Sequence, residues 1–213
     1  MKLYKSNEPN TFHYVTLVTH NRVPVFRGDE ACQVFVDVLS EVREKFPYKL
    51  IGYVLMPDHV HAIVNNRINT ISEWLHRVRG NSARKILAWL RDERHLMSLK
   101  KLELANPQKR QHTHAVWQKD PSVIDLWSHK FVRQKLNYLH LNPVRAGLCA
   151  HPVNWKWSSY RAYLPHKPNE VPIEIDWRAY WKDEELAIGN SNHAQKSGDV
   201  ATRRKKRRAV ARL

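Results

Sequence analysis

Met56-Pro57-Asp58-His59-Val60-His61-Ala62-Ile63-Val64 reads as the hinge of a β-hairpin: Pro57-Asp58 is turn chemistry set between an apolar run over 48–56 and a second from His59 to Val64. Side chains alternate across a strand, so His59 and His61 share one face while Val60, Ala62 and Val64 point the other way into a core. Two neutral imidazoles side by side, joined by one or two oxygen donors, suit a divalent cation. The pair alone carries little weight, because a chain with 13 histidines yields roughly one His-x-His by chance, and His112-Thr113-His114 is a second. Its meaning depends on what the rest of the chain brings beside it.

Working outward, Phe12-His13-Tyr14-Val15-Thr16-Leu17-Val18 has the β-branched and aromatic content of a first strand. Over 29–46 the apolar positions Val34, Phe35, Val38, Leu39 and Val42 recur at helical spacing, and Pro47 follows. A second long helix is expected over 71–94 from Ile71, Trp74, Leu75, Val78, Ile86, Leu87 and Leu90, with Gly80-Asn81 as a place for a kink. Residues 95–112 read as a loop, and 113–118 as a short fourth strand. The resulting order, β-α-β-β-α-β, predicts an α+β, ferredoxin-like sandwich with both helices on one sheet face and the other face free. A third helix is expected over 126–141, docked through Phe131, Val132, Leu136 and Leu139 and stopped at Pro143, since the residue before proline avoids the helical region. The Pro-rich, aromatic stretch that follows is expected to wrap over the body.

One domain over 1–188, with its core at about 12–163, and a basic tail over 189–213 account for the length. Low hydrophobicity from residue 190 onward predicts disorder in isolation. Lys and Arg outnumber Asp and Glu by 36 to 20, a net of +16; the last eleven residues hold seven of the basic side chains and no acid, so the remainder carries +9. An excess of that size points to a polyanionic partner. No run approaches the roughly 20 apolar residues of a membrane span, and the first eleven residues are polar rather than signal-like, so a cytoplasmic protein without a membrane partner is expected. Cys32 and Cys149 lack metal or redox spacing and read as reduced thiols.

A second constellation lies in the third helix. Tyr138 and Asn142 are four apart and share a helical face. Set beside two strand histidines, they would complete a device for phosphodiester chemistry: Asn142 as an oxygen ligand, Tyr138 as a nucleophile over a metal-bound phosphate. A phenol with an ordinary pKa of about 10 needs a nearby cation and basic side chains to lose its proton at neutrality.

The Met56 to His61 run and Tyr138-Leu139-His140-Leu141-Asn142-Pro143-Val144-Arg145-Ala146-Gly147-Leu148 resemble the two signature blocks of the single-tyrosine HUH transposases, and more narrowly of the REP-associated tyrosine transposases. The resemblance spans roughly residues 12–163 and includes Val116-Trp117-Gln118 and Trp157-Ser158-Ser159-Tyr160. It implies a ferredoxin-like endonuclease and strand transferase that cuts single-stranded DNA beside a hairpin, including repetitive extragenic palindromes, and forms a 5′ phosphotyrosine link with Mg²⁺ or Mn²⁺. By the same resemblance His59 and His61 are metal ligands, Tyr138 the nucleophile and Asn142 a third ligand. Between Gln118 and Phe131 the chain departs from the family pattern, so contacts there do not carry over.

Other residues receive weaker expectations. Arg77, Arg84 and Lys85 on the second helix, and Arg133, Lys135 and Arg145 on the third, are candidates to line a DNA groove, although a charge run is more often a solvated face. Arg203, Arg204, Lys205 and Lys206 suggest a non-specific nucleic-acid arm. His140 faces away from Tyr138 on an ideal helix and reads as structural or DNA-contacting; His13, His20, His112 and His114 read as sheet or surface residues. The competing class is a non-catalytic binder of single-stranded nucleic acid on an open ferredoxin-like sheet. Monomer and homodimer both remain open.

Overall fold

The computed structural model describes residues 8–105, 112–164 and 171–176. Strand β1 (Phe12–Val18) leads through two short 3₁₀ turns into helix α1 (Asp29–Lys45), and β2 (Lys49–Met56) and β3 (His59–Asn65) form the hairpin hinged at Pro57-Asp58. Helix α2 (Ile71–Asp92), a short α3 (Leu96–Lys101), the edge strand β4 (Ser122–Leu126) and helix α4 (His129–Arg145) follow. The sheet is antiparallel in the order β2-β3-β1-β4, the topology that the β-α-β-β-α-β order predicts.

Successive residues of β2 identify the two faces. Tyr53 faces the side of the sheet that holds Cys32 of α1, whereas a Cβ on its neighbour Gly52 would meet Leu136 of α4. Helices α1 and α2 therefore cover one face and α4 covers the other over β2 and β3. The second face, expected to be free, is closed there, and every residue of β2 from Leu50 to Met56 is buried. Helix α2 begins with a capping box, in which the Thr70 hydroxyl accepts from the Glu73 backbone N–H and the Glu73 carboxylate accepts from that of Thr70. It runs unkinked past Gly80, whose surroundings are open.

Three expectations about elements require correction. The fourth strand is not 113–118: Trp117 makes a single bridge to Thr19 and turns its ring inward between Phe26 and Phe35, with centroids 5.7 Å from both. Its indole N–H donates to Ser82 Oγ at 3.0 Å. Burial of a large aromatic gains more there than a ladder would, and pairing passes to Ser122–Leu126. Within 95–112, read as loop, six residues form α3. Helix α4 passes through Pro143 and ends two residues later, because Gly147 at φ +71° supplies the left-handed stop: Gly147 N–H donates to Val144 C=O at 3.0 Å and Leu148 N–H to Pro143 C=O at 2.9 Å.

The exposed edge of β2 is covered by the aromatic segment after α4. Leu55 N–H donates to Trp157 C=O at 2.9 Å, Trp155 Nε1–H to Leu55 C=O at 2.9 Å, and Ser158 bridges Val54. Unpaired strand groups that would invite another chain are thus satisfied internally. Residues 1–175 form one unit and 176–213 another; the expected boundary at 188/189 and the basic tail lie outside the described residues.

Candidate active site

His59 opens β3 opposite Met56 and Val18, and His61 stands opposite Val54 and Thr16, so both imidazoles occupy the α4 face. Their rings lie 4.8 Å apart at 75°. Each has its Nδ1 engaged: His59 with Asp58 Oδ1 at 2.6 Å and His61 with Thr16 Oγ1 at 2.9 Å. An ionised carboxylate can only accept, so His59 carries a proton on Nδ1 and presents Nε2 as its lone-pair nitrogen. Asp58 also accepts from Arg22 at 2.9 Å. Burial works against its charge, yet the bonds from His59 and Arg22 hold the carboxyl below its usual pKa.

His61 is 7% exposed. Burial, with smaller contributions from the neighbouring His59 and Lys135, pushes its pKa down to about 3. It is a neutral imidazole at physiological pH, the form that ligates metals.

Helix α4 brings one stripe to this face. Phe131, Lys135, Tyr138, Asn142 and Arg145 recur at spacings of four and three, the period of a helical seam, while Val132, Leu136, Leu139 and Pro143 beside them are buried. Tyr138 is 43% exposed with its ring 6.2 Å from that of His61 and 6.4 Å from that of Tyr14. The Arg145 guanidinium lies 4.9 Å from the centre of the Tyr138 ring and the Lys135 ammonium 5.8 Å from it. Tyr14 stacks on His61 at 5.3 Å. Burial, followed by the proximity of Tyr138, pushes the Tyr14 hydroxyl well above the usual phenol range, so it stays protonated where Tyr138 reaches solvent.

Asn142 carries an orphan: its Nδ2 is buried with no hydrogen-bond partner among the described residues. A buried amide N–H without a partner is costly. Turning the carboxamide over would put an oxygen, a metal donor, at the same point. Among the described residues no cluster of three or more His, Cys, Asp or Glu side chains could hold a metal ion. The imidazoles of His59 and His61 stand together on this face, and Asn142 lies one helical turn beyond Tyr138 on α4.

The remaining candidates separate. Arg133 is exposed on α4. Arg77, Arg84 and Lys85 stand on α2, across the sheet from Tyr138; Arg77 lies 4.6 Å from the Phe46 ring centre, and Lys85 pairs with Glu41 of α1. They share no groove with Lys135 and Arg145. Residues 203–206 lie outside the described residues. His140 is buried, with Nε2 2.8 Å from Ser159 Oγ and the Tyr160 and Tyr163 rings at 5.4 Å. Its role is packing, and burial lowers its pKa to about 3. His13 is fully buried and bonds Asp125 of β4 at 2.8 Å; His114 bridges Glu103. Tyr14, Thr16, Asp58 and Arg22 escaped sequence reasoning. Only Asp58, adjacent to His59, carried a readable signal; the other three depend on pairing and on chain folding.

Residues 9–103 match the family described as transposase, IS200 like. The match runs from β1 through α3 and holds both histidines, whereas Tyr138 and Asn142 lie beyond it. No curated protein matches the chain. Among solved structures the chain is similar to a REP-associated tyrosine transposase bound to a REP hairpin, with TM-score 0.58, 15% identity, and coverage of 83% of this chain and 93% of that one. A Deinococcus radiodurans R1 protein assigned as a transposase gives TM-score 0.41 and 19% identity over 65% of this chain and 95% of that one. The matched segment, just under half of the chain, is similar to the IS200-like transposases and carries the β-hairpin with both histidines. Over most of its length the chain shares the fold of the REP-associated tyrosine transposase.

Proposed function

We propose that this protein is a metal-dependent single-strand DNA nicking and joining enzyme that acts at hairpin DNA. The observation that carries the reading is the convergence, within one chain, of a solvent-reaching tyrosine, two adjacent imidazoles with Nδ1 engaged, and two cations facing the tyrosine ring. The similar transposase was solved with a REP hairpin, which makes palindromic single-stranded DNA the substrate class of choice. His59, His61 and Asn142 would hold Mg²⁺ or Mn²⁺, which when bound polarises the scissile phosphate.

The chain's own residues supply the rest. Asp58 and Thr16 fix the imidazoles from behind. Lys135 and Arg145, which face the Tyr138 ring, bind the phosphate it attacks. The Tyr138 hydroxyl oxygen bonds to phosphorus as its proton departs; the P–O3′ bond breaks, and the leaving 3′ oxygen takes up a proton. The 5′ side remains as a phosphotyrosine ester, and a 3′ hydroxyl attacking that ester reverses the step. The energy of the phosphodiester is conserved in the protein link, so rejoining needs no external source.

The rival reading, a non-catalytic binder on an open sheet, has less surface to use because α4 covers the sheet over β2 and β3. Incubating the full chain with labelled hairpin-bearing single-stranded DNA and Mn²⁺ tests the proposal. A denaturant-resistant adduct that disappears in Tyr138→Phe is expected. Binding without an adduct under Mg²⁺ or Mn²⁺ would overturn it, and cleavage that survives Tyr138→Phe but not His59→Ala would assign an activated-water hydrolase instead.

A further inference from the structure

Trp127 is the last thing a soluble protein should leave in water, yet it is 80% exposed at the exit of β4. Its one ring contact among the described residues is Phe131, centroid to centroid 4.7 Å with the planes tilted 47°. Phe131 heads the α4 stripe that carries the candidate nucleophile two turns further on. The Lys135 ammonium lies 5.5 Å from the Phe131 ring, 5.2 Å from Tyr14 and 5.8 Å from Tyr138, so rings and cations alternate from the edge strand to the site. Ser128 fixes the corner where this line begins, its hydroxyl accepting from the Phe131 backbone N–H at 3.2 Å.

We propose that Trp127 and Phe131 form a stacking ledge for unpaired bases of the strand whose phosphate Tyr138 attacks. This rests on the proposed function and names where that strand lies. Charge selects the occupant: the 17 residues of α4 include Lys130, Arg133, Lys135 and Arg145 and no Asp or Glu, which fits a polyanion with flat π faces. A purely apolar partner would leave those four charges to be desolvated without a counter-charge. Spacing agrees. Phe131 and Tyr138 are seven residues apart, about 10 Å along a helix, or about three nucleotides at the ~3.4 Å rise of a stacked strand. The ledge would hold bases two or three nucleotides from the scissile phosphate. Trp127 lies between Gln118 and Phe131, where the chain departs from the transposase pattern, so this half of the ledge is particular to this chain.

The test compares the full chain with Trp127→Ala, binding a fluorescent twelve-nucleotide oligo-dT and an abasic strand of equal length, by anisotropy at fixed salt. Loss of one base stack predicts about 5- to 150-fold weaker binding of oligo-dT and little change for the abasic strand. Trp127→Phe should restore most of the loss and Trp127→Leu should not. Trp127 is too exposed for its removal to unfold the chain, and circular dichroism of the variant checks this. Equal losses on both strands, or none, would overturn the ledge. So would unchanged DNA affinity with a changed oligomeric state by light scattering, which would mark Trp127 as a contact between copies of the chain. The two readings fail separately: an adduct with a Trp127→Ala strand affinity equal to wild type sinks the ledge alone, and base-dependent binding without an adduct sinks the chemistry alone.

Discussion

Gly52 sets how closely α4 approaches the sheet, and its replacement tests whether that approach places Tyr138, the proposed nucleophile. A Cβ there would sit 2.5 Å from Leu136 Cδ1 and 3.2 Å from Ser159 Oγ, with His140 Nε2 at 4.0 Å. Ordinary carbon–carbon contact is about 3.5–4.0 Å, so the shortfall against Leu136 is about 1 Å or more. Leu136 is buried against β2 and Ser159 is fully buried, so part of the displacement must go into α4 itself. Overpacking of this kind costs about 1–3 kcal/mol, offset by roughly 0.5–1 kcal/mol because alanine loses less backbone entropy than glycine. Because Tyr138 is two residues beyond Leu136 on the same helix, a shift approaching 1 Å is enough for an up to ~100-fold slower adduct. Gly52→Ala should therefore lower stability by about 1–2 kcal/mol in urea titration and slow phosphotyrosine formation by ~10- to 100-fold. Leu136→Ala alone removes buried apolar volume at about 2–5 kcal/mol, but it also vacates the space the new methyl needs. The double variant should be at least ~1 kcal/mol more stable than the two losses added together. Strict additivity, or a Gly52→Ala protein that is as stable and as fast as the parent, would refute the idea that this contact positions the site.

Two further outcomes follow from individual bonds. Asp58→Asn keeps the shape but removes the charge that pairs with Arg22 and orients His59, so Mn²⁺ affinity measured by calorimetry should fall about 10- to 100-fold, with the unfolding midpoint of the metal-free protein changing little. Ser159 Oγ accepts from Tyr53 N–H at 2.9 Å and contacts both His140 Nε2 and Tyr53 C=O at 2.8 and 3.2 Å, a set satisfied in full when the imidazole carries its hydrogen on Nε2. Ser159→Ala leaves these groups buried and unpaired, and denaturant titration should show a loss of about 1–3 kcal/mol or more; Ser159→Thr should recover part of it if the extra methyl fits.

How far the sequence could be read varies with the range of the interactions involved. The hairpin at Pro57-Asp58 and the helices α1 and α2 follow from local periodicity and turn chemistry, and they lie where the pattern put them. The fourth strand is not legible locally because Val116 and Trp117 have strand-like character, yet Trp117 packs its ring against Phe26 and Phe35, and pairing falls to Ser122–Leu126. The stop of α4 is not set by Pro143, which costs one helical bond locally and is outweighed by the Gly147 termination. The positive charge illustrates the same limit: Arg77 and Lys135 look alike as letters, yet they stand on opposite sides of the sheet.

The sequence by itself determined which side chains share a face. His59 with His61, and Phe131, Lys135, Tyr138, Asn142 and Arg145, follow from strand and helix periods that are properties of the backbone alone. Tertiary structure decided which faces meet. The register that puts Thr16 behind His61, the Gly52 contact that seats α4 over the histidines, and the exposure of Trp127 at the end of β4 depend on pairings between residues far apart in the chain. Those pairings are set by side-chain volumes and buried polar partners summed over the whole core, quantities that no local pattern contains.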